Sequence, residues 1–393
     1  CMVVHARYPV GETRVEREAR ALLEQGYEVD VVCLRDQGET AADVINGVRV
    51  HRLPVRRHRN RGLLWQFWEY FSFFVLALVK LNALDRRSRY GTIQVHNPPD
   101  FLVFAAALPK LRGARVILDL HDLLPEFYAA RSGRSLQSAP VRFVRWLERV
   151  ACGYADHVIT VTELWRQTLI GRGLPPEKVS VMMNVADPSI FHRGGCPASV
   201  TRVERRFCII YHGNLTLRYG LDILLRAGAR LRNRIPDVHL LIHGSGPLLS
   251  ALRNEVRTLG IEENATFSTR KLLTSELPSL IALADVGVVP YRQDVFTDGV
   301  LPTKVMEYVA LGLPVIAART SAMRMYFDED MIMFFPPGDD EALAECLWTL
   351  YADPTRRERL ARCSGAFLSR YCWTAQSRAY LDVLTHLLSP GER

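Results

Sequence analysis

Thr297-Asp-Gly-Val-Leu-Pro-Thr-Lys-Val-Met-Glu-Tyr-Val-Ala-Leu-Gly-Leu-Pro-Val-Ile316 holds a helix start, a helix and the beginning of a strand in one run. Pro302 suits the first helical position, where its missing N–H would have had no partner. The amides of Thr303 and Lys304 then project from a helix N-terminus, a ready site for a phosphate or sugar oxygen. Glu307 lies one turn further on, roughly 6 Å along the axis, and its carboxylate can accept two hydrogen bonds from a vicinal diol such as a ribose. Gly312 closes the helix and Pro314 leads into the next apolar strand.

Outward from this stretch the same alternation recurs. Arg206–His212, Val238–His243, Ala265–Ser268, Val286–Pro290 and Pro314–Ala317 are short apolar runs, with helix-length segments Gly220–Arg232, Leu248–Leu259 and Thr303–Leu311 between them. An earlier set, Glu28–Leu34, Gly91–His96, Arg115–Leu120 and His157–Val161, alternates with segments such as Arg14–Gln25 and Val141–Tyr154. Unalternating apolar strands separated by helices predict parallel sheets covered on both faces. Asp187–Arg205, with Pro188, Gly194, Gly195 and Pro197 and no periodicity, reads as a linker. The expected class is α/β, with two Rossmann-like doubly wound domains over 1–192 and 206–373, and a C-terminal helix over about 374–393 packing back on the first. In such sheets ligands bind beyond the carboxyl ends of the strands, so two domains with those edges facing across a cleft would place the site there.

Length and composition fit this reading. The 393 residues suffice for two domains, and 48% hydrophobic with 23% charged residues is the balance of a folded protein. The eight cysteines include no CxxC pair, which argues for reduced cytosolic thiols over a disulfide framework or a zinc site. No signal peptide is visible. The chain opens on Cys1 inside a strand-like run, so a few residues, with any targeting information, are expected to have preceded it. Of the net charge of +8, about +6 falls within residues 51–100, where nine Lys/Arg face three Asp/Glu. That concentration, without groove-reading elements, argues against nucleic acid as a partner.

Two further turns accompany the opening stretch. Tyr211-His-Gly-Asn-Leu-Thr-Leu-Arg-Tyr-Gly-Leu-Asp-Ile-Leu-Leu225 puts Gly213 after a strand, where close approach to a pyrophosphate needs glycine. His243-Gly-Ser-Gly-Pro247 follows the next strand and includes Gly244. It lacks the third glycine of a dinucleotide fingerprint, and no acidic residue ends a following strand at the required spacing, which counts against NAD.

These stretches resemble the retaining glycosyltransferases of family 4, within the GT-B fold. That family's signature is two glutamates eight residues apart followed by Ala-x-Gly-x-Pro-Val-Ile. Glu307 matches the second, which holds the nucleotide ribose. The first falls on Gly299, so the chain departs from the pattern, and Asp298 is the carboxylate expected to contact donor-sugar hydroxyls. Around them, Gly299, Val300, Leu301 and Thr303 are expected at the donor. The family's Arg after the first glycine and Lys before the next stand here as Asn214 and Tyr219. The cation expected at the diphosphate is therefore Arg218, with Lys271 and Lys304 as the next candidates. Fixed cations stabilise the leaving group, the chief need of this chemistry.

In the first half, Asp119-Leu-His-Asp122 follows a strand. The resemblance matches His121 to a histidine beside the donor sugar, which implies a positioning role without a covalent intermediate. Glu126 is a weaker candidate for orienting it. Gly11, in the loop Arg7–Arg14, is expected at the donor, and Arg14, Asn97, Asp122 and Glu163 on the acceptor side. The family implies no resident cofactor and no metal, only a UDP- or GDP-linked nucleotide-sugar co-substrate.

Val55–Leu81 is a basic and aromatic insert: Arg56, Arg57, Arg59 and Arg61 precede Trp65, Trp68 and a run of phenylalanines. Its uninterrupted apolar part, Phe73–Val79, is shorter than the about 20 residues that cross a bilayer. One reading is a core helix with solvated arginines. The other is a peripheral contact with the membrane surface, and the two can coexist. With a membrane contact, a glycan or polyprenyl/lipid-linked acceptor follows, and the expected place is cytoplasmic, peripheral at the inner face of the plasma membrane. The alternative to an enzyme is a catalytically silent sugar-nucleotide-binding protein, suggested by the missing first glutamate. A GT-B epimerase or phosphorylase is a further class, but the latter needs a pyridoxal-lysine context that the sequence lacks.

Overall fold

A computed structural model describes residues 1–9, 12–57, 62–193 and 206–389. Gly11, Arg59 and Arg61 lie outside the described residues, as does most of the expected linker. The chain divides into two compact units, Cys1–Met183 with Gln376–Arg393, and Asn184–Ala375. The first unit thus ends at Met183 and not at 192.

Unit 1 is built on an eight-stranded sheet. Its strands are β1 (Met2–Val4), β2 (Asp30–Leu34), β3 (Ala42–Ile45), β4 (Val48–Leu53), β5 (Thr92–His96), β6 (Arg115–Leu120), β7 (His157–Thr160) and β8 (Val179–Val181), in the order β3-β4-β2-β1-β5-β6-β7-β8. All pairings are parallel except β3 with β4, a hairpin that turns on Asn46 and Gly47, both with positive φ. The chain winds outward from β1 to β4, then crosses to β5 and winds the other way. The switch point is therefore between β1 and β5, next to His96 and Asn97.

Unit 2 has six strands, β9 (Phe207–His212), β10 (Val238–His243), β11 (Ala265–Ser268), β12 (Val286–Val289), β13 (Val315–Ala318) and β14 (Met333–Phe335). Their order is β11-β10-β9-β12-β13-β14, all parallel. Its switch point lies between β9 and β12, so the loops beginning at Gly213 and Pro290 meet there. Strands β9, β12 and β13 are buried along their whole length, because helices cover both faces of a parallel sheet.

Two helices carry later arguments. The helix Trp373–Leu388 places Tyr380 and Leu384 in the core of unit 1. There Tyr380 donates to Gln94 Oε1 at 2.5 Å, and Gln376 accepts from the Met183 amide at 2.7 Å. The helix Leu63–Ser88 is 26 residues long, and by length and composition it could cross a bilayer. The shortness of Phe73–Val79 thus does not exclude a crossing. Its stripe Glu69, Phe73, Ala77, Leu81 and Asp85, spaced by four, is buried in unit 1. Phe67, Trp68, Phe71, Val75 and Val79 are exposed on the same helix. The core-helix reading therefore describes one side of it, and the other side is an exposed aromatic surface.

Candidate active site

In unit 2 the turns after β9 and β10 lie backbone to backbone. Gly213 has φ +130°, and its amide donates to His243 O at 2.9 Å. Gly244 has φ +142°, and a Cβ there would sit 1.8 Å from Gly213 O. Only glycine satisfies both the dihedral and the approach. A Cβ at Gly213 would in turn come within 3.3 Å of Lys304 Cε, so the turn rests on that side chain.

Lys304 enters from the signature helix, which spans Thr303–Leu311. Pro302 is its N-cap and not its first helical residue, and no side chain caps the helix start. Thr303 is exposed, whereas Lys304 is only 7% exposed. Its Nζ donates to the Tyr291 hydroxyl at 2.7 Å. The ring centroids of Tyr211, Tyr219 and Tyr291 lie 4.9, 5.3 and 4.8 Å from that nitrogen, a tyrosine cage whose π faces favour a cation. Among the described residues no carboxylate forms an ion pair with it. Burial pushes its pKa down to about 8, against the opposing influence of Glu307.

Glu307 stands one turn along the helix. Its Oε2 lies 2.6 Å from His212 Nε2, at the end of β9. A carboxylate only accepts, so the imidazole hydrogen is assigned to Nε2. Its Nδ1 lies 3.0 Å from the Tyr308 hydroxyl. His212 thus fixes one oxygen of Glu307. The sequence reading did not single out His212, although it ends the strand that Gly213 follows.

The other donor-side candidates lie on neighbouring loops. The Arg218 guanidinium stands 5.3 Å from the Phe296 ring centroid. Asn214 is exposed, and its carbonyl accepts from the Tyr211 hydroxyl at 2.9 Å. Lys271 is exposed after β11. Asp298 lies in the 3-10 turn Thr297–Gly299, where Gly299 is buried, followed by half-buried Val300 and buried Leu301. Asp298 Oδ1 accepts from Gln293 Nε2 at 2.8 Å and from the Ser321 amide at 2.9 Å. This carboxylate therefore also braces the start of the helix Ser321–Tyr326.

Unit 1 gathers a separate buried charge cluster at its switch point. Arg14 was expected on the acceptor side; the structure buries it at 4% exposure. It grips both oxygens of Asp119 at 2.9 Å, reaches Glu18 at 3.0 Å and donates to Met182 O at 2.7 Å. A guanidinium so saturated holds the fold and offers little to a ligand. Burial works to raise the Asp119 carboxyl, but Arg14 and His121 outweigh it and hold Asp119 well below the usual carboxylate range. His121, with 18% of its side chain exposed, is the outermost member. Its Nε2 lies 3.1 Å from His96 Nδ1, which is itself 3.2 Å from Asp119 Oδ2.

His96, Asp119 and His121 bring three potential ligand atoms within 4.8 Å of one another. Arg14 Nε at 2.9 Å and Gln94 Nε2 at 3.2 Å already occupy Asp119 Oδ2, and a guanidinium there opposes a metal cation. Asn97 braces the turn: its Oδ1 accepts from the His121 amide at 2.7 Å and its Nδ2 donates to Asp122 O at 2.7 Å. Glu126 was expected to orient His121; it is instead paired with Arg172. Glu163 opens the helix Glu163–Gly171 and pairs with Arg166 at 3.1 Å. Of the insert arginines, Arg56 is exposed and Arg57 donates to His5 O at 3.0 Å, while Trp65 is 48% and Trp68 57% exposed.

Comparison with known proteins follows the same division. A family model described as Glycosyl transferase 4-like domain matches residues 11–184, and one described as Glycosyl transferases group 1 matches residues 206–353. The chain is 35% identical over 273 residues to the GDP-mannose-dependent alpha-(1-6)-phosphatidylinositol monomannoside mannosyltransferase of Mycobacterium tuberculosis, covering 61% of this chain and 69% of that one. The protein of the same name from Mycolicibacterium smegmatis is 34% identical over 184 residues, 45% of this chain and 47% of that one, so the match spans about half of that relative. Among solved structures, sucrose-phosphate synthase from Thermosynechococcus elongatus superposes with a TM-score of 0.79 at 18% identity, over 99% of this chain and 98% of that one. With both units matched and the fold shared, the chain belongs to the glycosyl transferases group 1 family, of the GT-B fold.

Proposed function

We propose that the chain is a retaining, metal-independent hexosyltransferase that takes its sugar from a UDP- or GDP-linked donor. The observation that carries this reading is Lys304, a buried ammonium with no carboxylate partner among the described residues, set under the Gly213 turn and one helical turn from Glu307. A buried cation without an anion is costly, and a diphosphate supplies the missing charge. Lys304, Arg218 and the first amides of the signature helix would stabilise the leaving nucleoside diphosphate, and Glu307 would hold the ribose. The anomeric carbon–phosphate oxygen bond breaks and the acceptor oxygen bonds the same face of the sugar. The acceptor proton passes to the departing phosphate oxygen. His121 would position a sugar hydroxyl.

The names of the mycobacterial relatives, with a GDP-mannose donor and a phosphatidylinositol-based acceptor, support a lipid-linked acceptor. So does the exposed aromatic side of Leu63–Ser88, which would lie in the plane of the cytoplasmic membrane surface. Binding of UDP- and GDP-sugars is read by thermal shift, since a ligand stabilises the fold in proportion to its affinity. One class of sugar nucleotide should raise the melting temperature, and Glu307→Ala should abolish the rise. A panel without any shift would overturn the reading.

A catalytically silent sugar-nucleotide-binding protein is the second reading, favoured by the Asp298 oxygen committed to Ser321 and Gln293. Release of free nucleotide only when acceptor is present decides for the enzyme. A stable complex without turnover decides for the binding protein.

A further inference from the structure

The helix Ala139–Tyr154 is a second place in unit 1 where large apolar side chains face water. Its inner side is Val141, Glu148, Ala151 and Cys152, all buried, with Glu148 held by Arg172 at 2.5 Å. Its outer side carries Phe143, Trp146 and Val150, which are 61, 57 and 38% exposed. Their spacing of three and four residues makes one stripe. Phe143 and Trp146 stack with ring centroids 5.7 Å apart and planes 26° apart, so the stripe is a preformed aromatic surface.

Charge selects what covers it. Arg142 and Arg149 flank the stripe and are exposed, and Arg145 is half-buried, donating to Leu136 O at 3.1 Å. The only acidic residue of the helix is the buried Glu148. An apolar, cationic face without anions suits an anionic lipid surface, where tryptophan sits at the boundary and arginine meets headgroups. A second copy of the same face is a poor mate, because a two-fold contact would bring like arginines together. The helix also packs on the 3-10 segment Asp100–Ala106, which the aromatic helix Leu63–Ser88 touches from its own side. Phe104 meets Tyr154 at 5.0 Å and Phe101 meets Phe74 at 5.9 Å.

We propose that Phe143, Trp146 and Val150, with Arg142 and Arg149, form a second lipid contact, so that two helices hold unit 1 on an anionic bilayer. This rests on the membrane reading of Leu63–Ser88 and deepens it. One helix leaves the protein free to roll about its axis on the surface, whereas two fix its orientation.

The test is co-sedimentation of the full chain with vesicles of phosphatidylglycerol and phosphatidylcholine. Wild type is compared with Phe143→Ser/Trp146→Ser, Trp65→Ser/Trp68→Ser and Arg142→Ser/Arg149→Ser. Each aromatic pair should lower the partition coefficient about tenfold, with a melting temperature that still shows a folded protein, since the four side chains are 48 to 61% exposed. The arginine pair should weaken binding to anionic vesicles and leave pure phosphatidylcholine unaffected. If Phe143→Ser/Trp146→Ser partitions like wild type while Trp65→Ser/Trp68→Ser does not, the second contact is overturned and the single-helix reading stands. If wild type ignores anionic vesicles, both are overturned. A lipid-free dimer that Phe143→Ser/Trp146→Ser dissolves would make the face a self-interface and overturn the proposal.

Discussion

At the scale of single residues, the proposed reaction puts its leaving-group charge on Lys304, and the pKa of that side chain would make the reaction pH-dependent. Burial brings the pKa to about 8, so the side chain is cationic below that pH and neutral above it. A neutral amine cannot stabilise a leaving diphosphate. The kcat/KM profile should therefore fall as pH rises through about 8, and a profile that stays level to pH 9.5 would assign the charge elsewhere. Lys304→Met keeps the bulk inside the tyrosine cage and removes the charge. It should lower kcat/KM by about 100- to 1,000-fold and abolish the alkaline limb. The cage itself was not legible in the sequence. Tyr211, Tyr219 and Tyr291 come from a strand, a 3-10 turn and a loop after another strand, and nothing in their spacing joins them. The helix that carries Glu307 was legible because Pro302, Thr303 and Gly312, which mark its ends, are local to it. Arg14 was misread for the converse reason. An arginine after a strand looks solvent-facing until Asp119, more than a hundred residues away, is seen to hold two of its three nitrogens.

At the scale of elements, interior strands were legible apart from β4, and of the edge strands β3, β8, β11 and β14 only Ala265–Ser268 was read, as β11. Val238–His243 and Arg115–Leu120 coincide with β10 and β6, because continuous apolar runs mark interior parallel strands. The hairpin β3–β4 was passed over because β3 is almost wholly exposed and antiparallel, so its composition carries no core signal. Its turn does carry one: Asn46-Gly47, both at positive φ, is the two-residue signature of a tight hairpin. Gly47→Val places a β-branched residue at φ +84°. It should cost about 1–2 kcal/mol of stability, read as a shifted midpoint in chemical denaturation, whereas Asn46→Asp should leave the midpoint nearly unchanged. The helix Leu63–Ser88 shows the same limit from the other side. Its composition suggests core or membrane, and only the buried stripe Glu69–Phe73–Ala77–Leu81–Asp85 shows which side is which. Replacing Arg56, Arg57, Arg59 and Arg61 with serine should remove most of the salt-sensitive binding to anionic liposomes; unchanged sedimentation would place the lipid contact elsewhere.

At the scale of the whole molecule, two compact units with different buried charge should answer pH and ligand differently. The expected donor residues Glu307 and Lys304 lie in Asn184–Ala375, so a bound sugar nucleotide should shift the transition of that unit by about 2.7 kcal/mol at 100 times Kd. The transition that does not shift then belongs to unit 1. There Glu148 is pushed up to about 8, chiefly by burial, against the pull of Arg172. In the folded state it keeps a proton that the unfolded chain has released. Its contribution is therefore complete below the ordinary carboxylate range and is lost as pH rises through about 8. Glu148→Gln mimics the protonated form at every pH. Wild type and variant should melt alike near pH 4, and the variant should become progressively more stable between about pH 4.5 and 8. The difference should reach a few kcal/mol, on the order that such a shift implies. Taking the difference cancels the titrating groups of unit 1 that do not act on Glu148, including His5 and His157, which burial pushes down to about 3 and about 4, while Asp100 and Glu126, which raise Glu148, remain in it. A constant difference across that range would mean that the Arg172 pair keeps Glu148 ionised throughout. A difference that appears in the ligand-shifted transition instead would mean that the two units do not melt separately.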